Sequence, residues 1–267
     1  MPRKRQIFGS LKRLLIWVLL LATWEAAFRL AGWKAWQFPA PSTLWPALLD
    51  LLSFKPAFGG RLLITGIGIS LSRLAAGFLI SILLGALLGL LMWRFRALDD
   101  FLGPLFLGLQ TLPSVCWVPL AVLVIGLNET GVLFVVVMGS FFAIAIALRD
   151  GLRTIPPIYQ RAGAMLGTTG WKMYRYVLLP ASLPALASSL RQGFSFAWRS
   201  LMGAELIFAV SRHGLGFLLE IGRSYNDVAQ VVVVMVVMVV IGILADRFFF
   251  GRVEKTIHRR FGLVRAE

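Results

Sequence analysis

The chain has 267 residues, of which 58% are hydrophobic and only 15% charged, and its formal net charge is +15. That balance excludes an ordinary soluble globular domain and indicates a membrane protein. The basic excess excludes nothing until its distribution is known, because membrane proteins gather Lys and Arg on their cytoplasmic loops.

A helix needs about 20 mostly apolar residues to cross a bilayer. Six stretches qualify: Leu14 to Ala31, Leu71 to Trp93, Phe101 to Ile125, Val132 to Leu148, Leu183 to Val210 and Val228 to Phe249. The first is expected to stay in the membrane, since no small-x-small cleavage site with a long mature soluble domain follows it. Six spans place both termini on one side, and the charges agree. Arg3, Lys4, Arg5, Lys12 and Arg13 precede the first span; Arg94 and Arg96, then Arg149, Arg153, Arg161, Lys172 and Arg175, fill the loops of that face. Arg247, Arg252, Lys255, Arg259, Arg260 and Arg265 close the chain on it. The opposite face holds only Lys34, Lys55, Arg61, Arg212 and Arg223. Both termini are therefore expected in the cytoplasm, and the net charge requires no nucleic acid.

Along the spans, Glu25 and Arg29 are placed to pair at i, i+4. Arg73, early in the second span, is expected to snorkel to the outer interface. Gly85, Ala86 and Gly89 favour close helix approach. Pro104, Pro113 and Pro119 imply kinks in the third span. Cys116 lies in that span, so a disulfide within the chain is impossible and packing is its expected role. The run Val231 to Val240 is β-branched, but its length in apolar surroundings makes it a helix.

The fifth span carries Arg191, Gln192, Ser195, Arg199, Ser200 and Glu205. Charges within spans are costly and default to functional candidates. Gln192, Ser195, Arg199, Ser200 and Glu205 are candidate translocation-pathway or gate residues, with bridging between helices as the alternative.

Between the fourth and fifth spans lies YQRAGAMLGTTGWKMYRYVLLP, Tyr159 to Pro180. Ile158, Ala162, Met165 and Leu166 share one face of a short helix, and Gly167 ends it in a left-handed turn. Thr168 or Thr169 is placed to cap a second helix, on which Trp171, Tyr174 and Leu178 share a face. Pro180 and Pro184 then bend the chain into the fifth span. Physics alone would accept an interfacial loop lying among lipid headgroups.

The detailed pattern resembles the permease subunits of bacterial ABC importers, whose cytoplasmic loop reads E-A-A-x-x-x-G followed by a hydrophobic residue and L-P. Here the window is Arg161-Ala162-Gly163-Ala164-Met165-Leu166-Gly167, with Leu179-Pro180 at the family spacing. The resemblance is to the branch that imports nitrate, alkanesulfonates and taurine, through SLSRLAAGFLISILLGALLGLL (70 to 91), LPSVCWVPLAVLVIGL (112 to 127), LLPASLPALASSLR (178 to 191), and AWRSLMGAEL with GLGFLL (197 to 206, 214 to 219). Arg161 replaces the motif's glutamate and Gly163 its second alanine.

This resemblance implies an all-α membrane protein with six transmembrane helices and the type I ABC importer permease fold. An N-terminal tail, first helix and outer loop would occupy 1–60, the permease core 61–250, with the coupling-helix loop at about 149–177, and a basic tail 251–267. It makes Tyr159, Gln160, Arg161, Ala162, Gly163, Ala164, Met165, Leu166 and Gly167 the segment that couples to a cytosolic ATPase. The partners implied are a second copy of the chain, two ATPase subunits, an external substrate-binding protein and the lipid bilayer of a bacterial inner membrane. The chain is expected to bind no cofactor, and to be no enzyme. It has no G-x-x-x-x-G-K-[ST] loop, so ATP and Mg belong to the partner ATPase. The solute is expected to be small and anionic, such as sulfonate, nitrate or taurine, although a neutral heterocycle fits the sequence too. A stand-alone secondary transporter and a membrane-embedded enzyme are the rival classes, both disfavoured by the lack of repeats and of clustered acid–base or metal-ligating groups.

Overall fold

A computed structural model describes residues 2–34, 37–55, 60–208 and 213–260. Val210, Arg212 and Arg265, and the side chains of Arg3, Lys4, Arg5, Arg13, Lys55, Arg259 and Arg260, lie outside the described residues.

The chain is almost wholly helical. Helix α1 (Pro2–Ala31) leads to a short α2 (Pro41–Leu52), then to a two-residue antiparallel hairpin, β1 (Phe54–Lys55) and β2 (Gly60–Arg61), with Phe54 opposite Arg61. The outer loop thus carries a helix tied down at both ends. Glu25 pairs with Arg29 at 2.8 Å and also accepts from the Ser42 hydroxyl, joining α1 to α2. Leu51 is buried against the last long helix.

Three long helices make the centre: α3 (Leu62–Arg94), α6 (Glu129–Arg153) and α9 (Leu179–Ile207). Asn128 caps α6 by accepting from the Gly131 N–H at 2.9 Å. Small residues decide how closely α3 and α6 approach. Gly85 faces Ile144 and the Phe141 carbonyl, Gly89 faces the Ala145 carbonyl, and a methyl group at either would collide with them. Ser140 donates to Ser81 at 2.7 Å across the same seam. On its other side α6 packs against α9 through Val132, Val135, Ala197, Leu201 and Ala204. The result is that 67% of the most apolar window of α6 is buried, against 28% for α3, so α6 is the interior helix.

The third expected span, Phe101 to Ile125, is corrected. It is two helices, α4 (Arg96–Thr111) and α5 (Trp117–Val124), bent by 97°. The break falls at Leu112–Pro113, where proline lacks the N–H that would continue the ladder. Pro104 and Pro119, by contrast, sit inside α4 and α5. Cys116 is exposed on the one-turn helix Ser114–Cys116 at the corner and does no core packing.

After α6 come α7 (Pro157–Met165) and α8 (Gly170–Met173), and α8 runs through a wide π turn (Tyr174–Leu178) into α9 without a break. Pro180 and Pro184 widen and loosen the start of this helix where the sequence suggested a bend. The short α10 (Leu215–Ser224) precedes α11 (Val228–Leu244), which the valine run builds and Asp227 caps at the Gln230 N–H. A second π turn (Ala245–Phe250) leads to α12 (Gly251–Arg260).

Among the described residues, α3, α6 and the helix from Val228 to Ile257 are long and apolar enough to cross a membrane; counting the bent α4–α5 pair as one span brings these to four. Helix α9 has the length but carries the polar residues described next.

Candidate functional site

Helix α9 presents three different faces. One packs on α6, one turns toward α11, and between them Ser188, Gln192, Ser195 and Arg199 form an exposed stripe at helical spacing. The Arg199 guanidinium donates to the Ser195 carbonyl at 3.1 Å and lies 4.8 Å from the Phe196 ring centre. No carboxylate pairs with it among the described residues. Of the five pathway candidates, the structure therefore brings Gln192, Ser195 and Arg199 together on one accessible surface.

Ser200 and Glu205 are elsewhere. Ser200 donates back to the Phe196 carbonyl and presses on Gly139 of α6, in a place with no room for a Cβ on that glycine. Glu205 is 1% exposed and sits in a closed network. It accepts from Arg73 at 2.8 Å, from the Ser70 hydroxyl at 2.7 Å and from the Gly216 N–H at 3.0 Å. Ser70 in turn accepts the Leu215 N–H at 2.8 Å, so a carboxylate and a hydroxyl together satisfy the first turn of α10. Glycine is required at 214 and 216, because the Glu205 carboxylate and backbone occupy the space a Cβ would need. Arg73 is corrected as well: it is 4% exposed, does not snorkel, and also donates to Glu129 at 2.6 Å. Its position early in α3 gave no signal of this, since the carboxylates that hold it are 56 and 132 residues away in sequence.

Near the middle of α9, Arg191 pairs with Asp246 at 2.6 Å and Glu254 at 2.9 Å, fastening α9 to the π turn and α12. Beside this pair a cavity of about 910 Å³ opens between α9 and α11–α12, with Ser195 and Trp198 in its wall.

The segment that opened with Tyr159 is the second candidate. Helix α7 is exposed throughout except at Gly163, which is pressed against Thr168, Met173 and Val177 of the following stretch. Gly167 has φ +77°, the left-handed turn read from the sequence, and Gly170 repeats it at +52°. Thr169 occupies the capping position of α8 without a side-chain bond, while the Thr168 hydroxyl donates to the Gly163 carbonyl and locks the turn. The apolar face turns outward: Met165 is 89% exposed, Leu166 84% and Ile158 64%, beside Tyr159, Gln160 and Arg161. Trp171, Tyr174 and Leu178 do share a face, on a mainly apolar cavity of about 260 Å³ shared with α3 and α6.

An ion cluster missed in the sequence backs this segment. Asp99 of α4 accepts from Arg149 at 2.8 Å and Arg153 at 2.6 Å, both on the last turns of α6 just before α7. Arg149 and Arg153, read only as topological charges, are i, i+4 neighbours on one helix face, which was the available signal.

Comparison with known proteins gives the family. Residues 81–258 match the family model for the binding-protein-dependent transport system inner membrane component. The chain is 28% identical over 244 residues to a putative aliphatic sulfonates transport permease protein, SsuC, of Bacillus subtilis, covering 91% of this chain and 86% of that protein. It is 25% identical over 234 residues to the nitrate import permease protein NrtB of a Synechocystis strain, covering 86% and 83%. Among solved structures, an inward-facing form of the MetNI methionine ABC transporter matches with a TM-score of 0.61 at 20% identity, over 73% of this chain and 96% of that one. With its helical order, its broken span and its paired glycine turns before α9, the chain belongs to the inner-membrane components of binding-protein-dependent transport systems, as a permease subunit of an ABC importer.

Proposed function

We propose that two copies of this chain form the membrane path of an importer for a small anion. The path runs along the stripe Ser188, Gln192, Ser195 and Arg199, with both termini in the cytoplasm. The observation that carries this reading is the stripe itself, an exposed polar line on a central helix that includes a cation with no carboxylate partner among the described residues. A charge so placed is expensive in lipid and is tolerated where it meets water or an anion. Sulfonate and nitrate, the solutes named for two relatives, are both anions that an arginine fork accepts. Solute arrives from an external binding protein. Each α7 docks on a cytosolic ATPase through its outward apolar residues, Ile158, Met165 and Leu166, with Arg161 at their edge. The ATPases bind the ATP and Mg. Movement of α7 passes to α6 through Leu148, Leu152, Ile155 and Leu178, and to α4 through Asp99.

The test is uptake of nitrate and of an alkanesulfonate in cells holding the full transporter. Arg199→Ala is expected to lower uptake about tenfold or more while the permease stays at normal abundance in the membrane, the size of loss expected when a charged hydrogen-bond donor is removed. Unchanged uptake of both anions would overturn the assignment of the stripe.

A further inference from the structure

The cavity between α9 and α11–α12 has walls of an unusual kind. Its apolar part comes from Phe194, Met238, Val239 and Ile243, and its polar part from Arg191, Ser195, Trp198, Asp246, Arg247, Glu254 and Lys255. Both carboxylates are already engaged by Arg191. The groups left over are all able to donate. Arg247 and Lys255 have no acidic partner among the described residues. The Trp198 indole nitrogen faces Gly242 at the cavity wall and makes no hydrogen bond there. Among the described residues the Ser195 hydroxyl has no partner either. Three cations against two carboxylates leave the cavity one positive charge in excess.

Depth along the helices fixes where this lies. Arg191 is 16 residues from the α10-side end of α9, about 24 Å at 1.5 Å per residue, and Asp246 is 18 residues from the start of α11, about 27 Å. Counted from those two helix ends, both lie nearly as deep as a hydrocarbon core is thick, about 30 Å, on the side that leads to α12. Arg199 is nearer the α10-side end of α9, about 12 Å from Arg191 along the helix.

We propose that this cavity is a binding site for a monovalent oxyanion at the inner mouth of the path, held by Arg247, Lys255, Ser195 and the Trp198 N–H. The inference rests on the path proposed along α9. Donors without acceptors recognise an oxyanion, and indole N–H groups and ammonium or guanidinium cations accept nothing in return. Asp246 and Glu254 keep Arg191 occupied, so the site is one charge short of neutral and a monoanion balances it. The same chemistry suits a transported solute or the phosphate of an acidic lipid headgroup, and the experiment separates the two.

Iodide, a monoanionic quencher, serves as probe for the full-length permease in nanodiscs at constant ionic strength, with Trp198→Phe identifying the share of quenching due to Trp198. In discs of neutral phosphatidylcholine, quenching of Trp198 is expected to fall about tenfold in the Arg247→Gln/Lys255→Gln variant, the local enrichment a basic cleft gives. Nitrate and methanesulfonate are expected to relieve it in the unmodified protein. Relief by phosphatidylglycerol in the disc, with no effect of the free anions, would assign the site to a lipid and overturn the solute site. Quenching equal in the unmodified and doubly substituted proteins would overturn the site altogether. Because binding is read without transport, a loss here with uptake still dependent on Arg199 would leave the α9 path standing.

Discussion

Two arginine triads along α9 use the same residue types to opposite effect. Near its last turn a single arginine, Arg73, holds Glu129 and Glu205; near its middle a single arginine, Arg191, holds Asp246 and Glu254. The first arginine side chain is 3% exposed and Glu205 is fully enclosed, while Arg191 and Asp246 are each nearly half exposed. Burial decides what each triad does. An enclosed ion pair cannot exchange partners without leaving a charge in a medium that does not solvate it, so it fixes α10 against α3 and α9. A half-exposed pair exchanges partners with water or solute at little cost, and it borders a cavity.

The largest expected effect breaks the enclosed triad. Glu205→Ala takes from Arg73 its buried carboxylate, leaving it Glu129 alone, and uncaps α10, at a cost of about 3–5 kcal/mol for breaking a buried pair. The permease should become scarce in the membrane, as read by immunoblot of membrane fractions. The comparison is sharpened by Arg73→Met/Glu205→Leu, which removes both charges and should recover part of the abundance. If Glu205→Ala kept normal abundance and lost only uptake, Glu205 would be a gate residue after all.

Next in size is Gly167→Val. A β-branched residue at φ +77° costs about 1–3 kcal/mol, and the strain falls on a turn held by little besides Thr168 and Gly163. The membrane helices should stay folded while the ATPase no longer co-purifies. A smaller effect is expected from Arg161→Glu, which restores the family's residue but reverses the charge at the edge of α7. If the native ATPase offers an acidic patch there, affinity should fall about tenfold, roughly 1.4 kcal/mol, measured by titrating the ATPase onto the permease. Tighter binding would show that the ATPase surface is basic at this point.

The smallest effect on stability is expected at the open triad of α9. Arg191→Met should change thermal unfolding by no more than about 1 kcal/mol, the range for exposed pairs, in contrast to Glu205→Ala. A loss of abundance as large as that of Glu205→Ala would erase the distinction between the two triads.

Much of the architecture was legible from local patterning. Apolar length marked the helices, and Pro113 marked a kink in the third span, though the size of the bend, 97°, needed the surroundings that hold α4 and α5 apart. Gly167 could be read as a left-handed turn because few residues but glycine go there at no cost. The stripe of Gln192, Ser195 and Arg199 was visible as a set of polar residues in a span, but the set also contained Ser200 and Glu205. Helical spacing alone did not divide it, since every direction around α9 faces something until its neighbours are known.

What the sequence determined by itself was the solvent of each segment. Hydropathy and the placement of Lys and Arg depend on the residues alone, so the apolar helices and the polar segments between them follow without a fold. What only the tertiary structure decided was the partner of each charge. Arg73, Asp99 and Arg191 meet residues 50 to 132 positions away. Whether such a pair is enclosed or open depends on three or more helices arriving at one place, and that determines which charges hold the molecule together and which remain free to meet an anion.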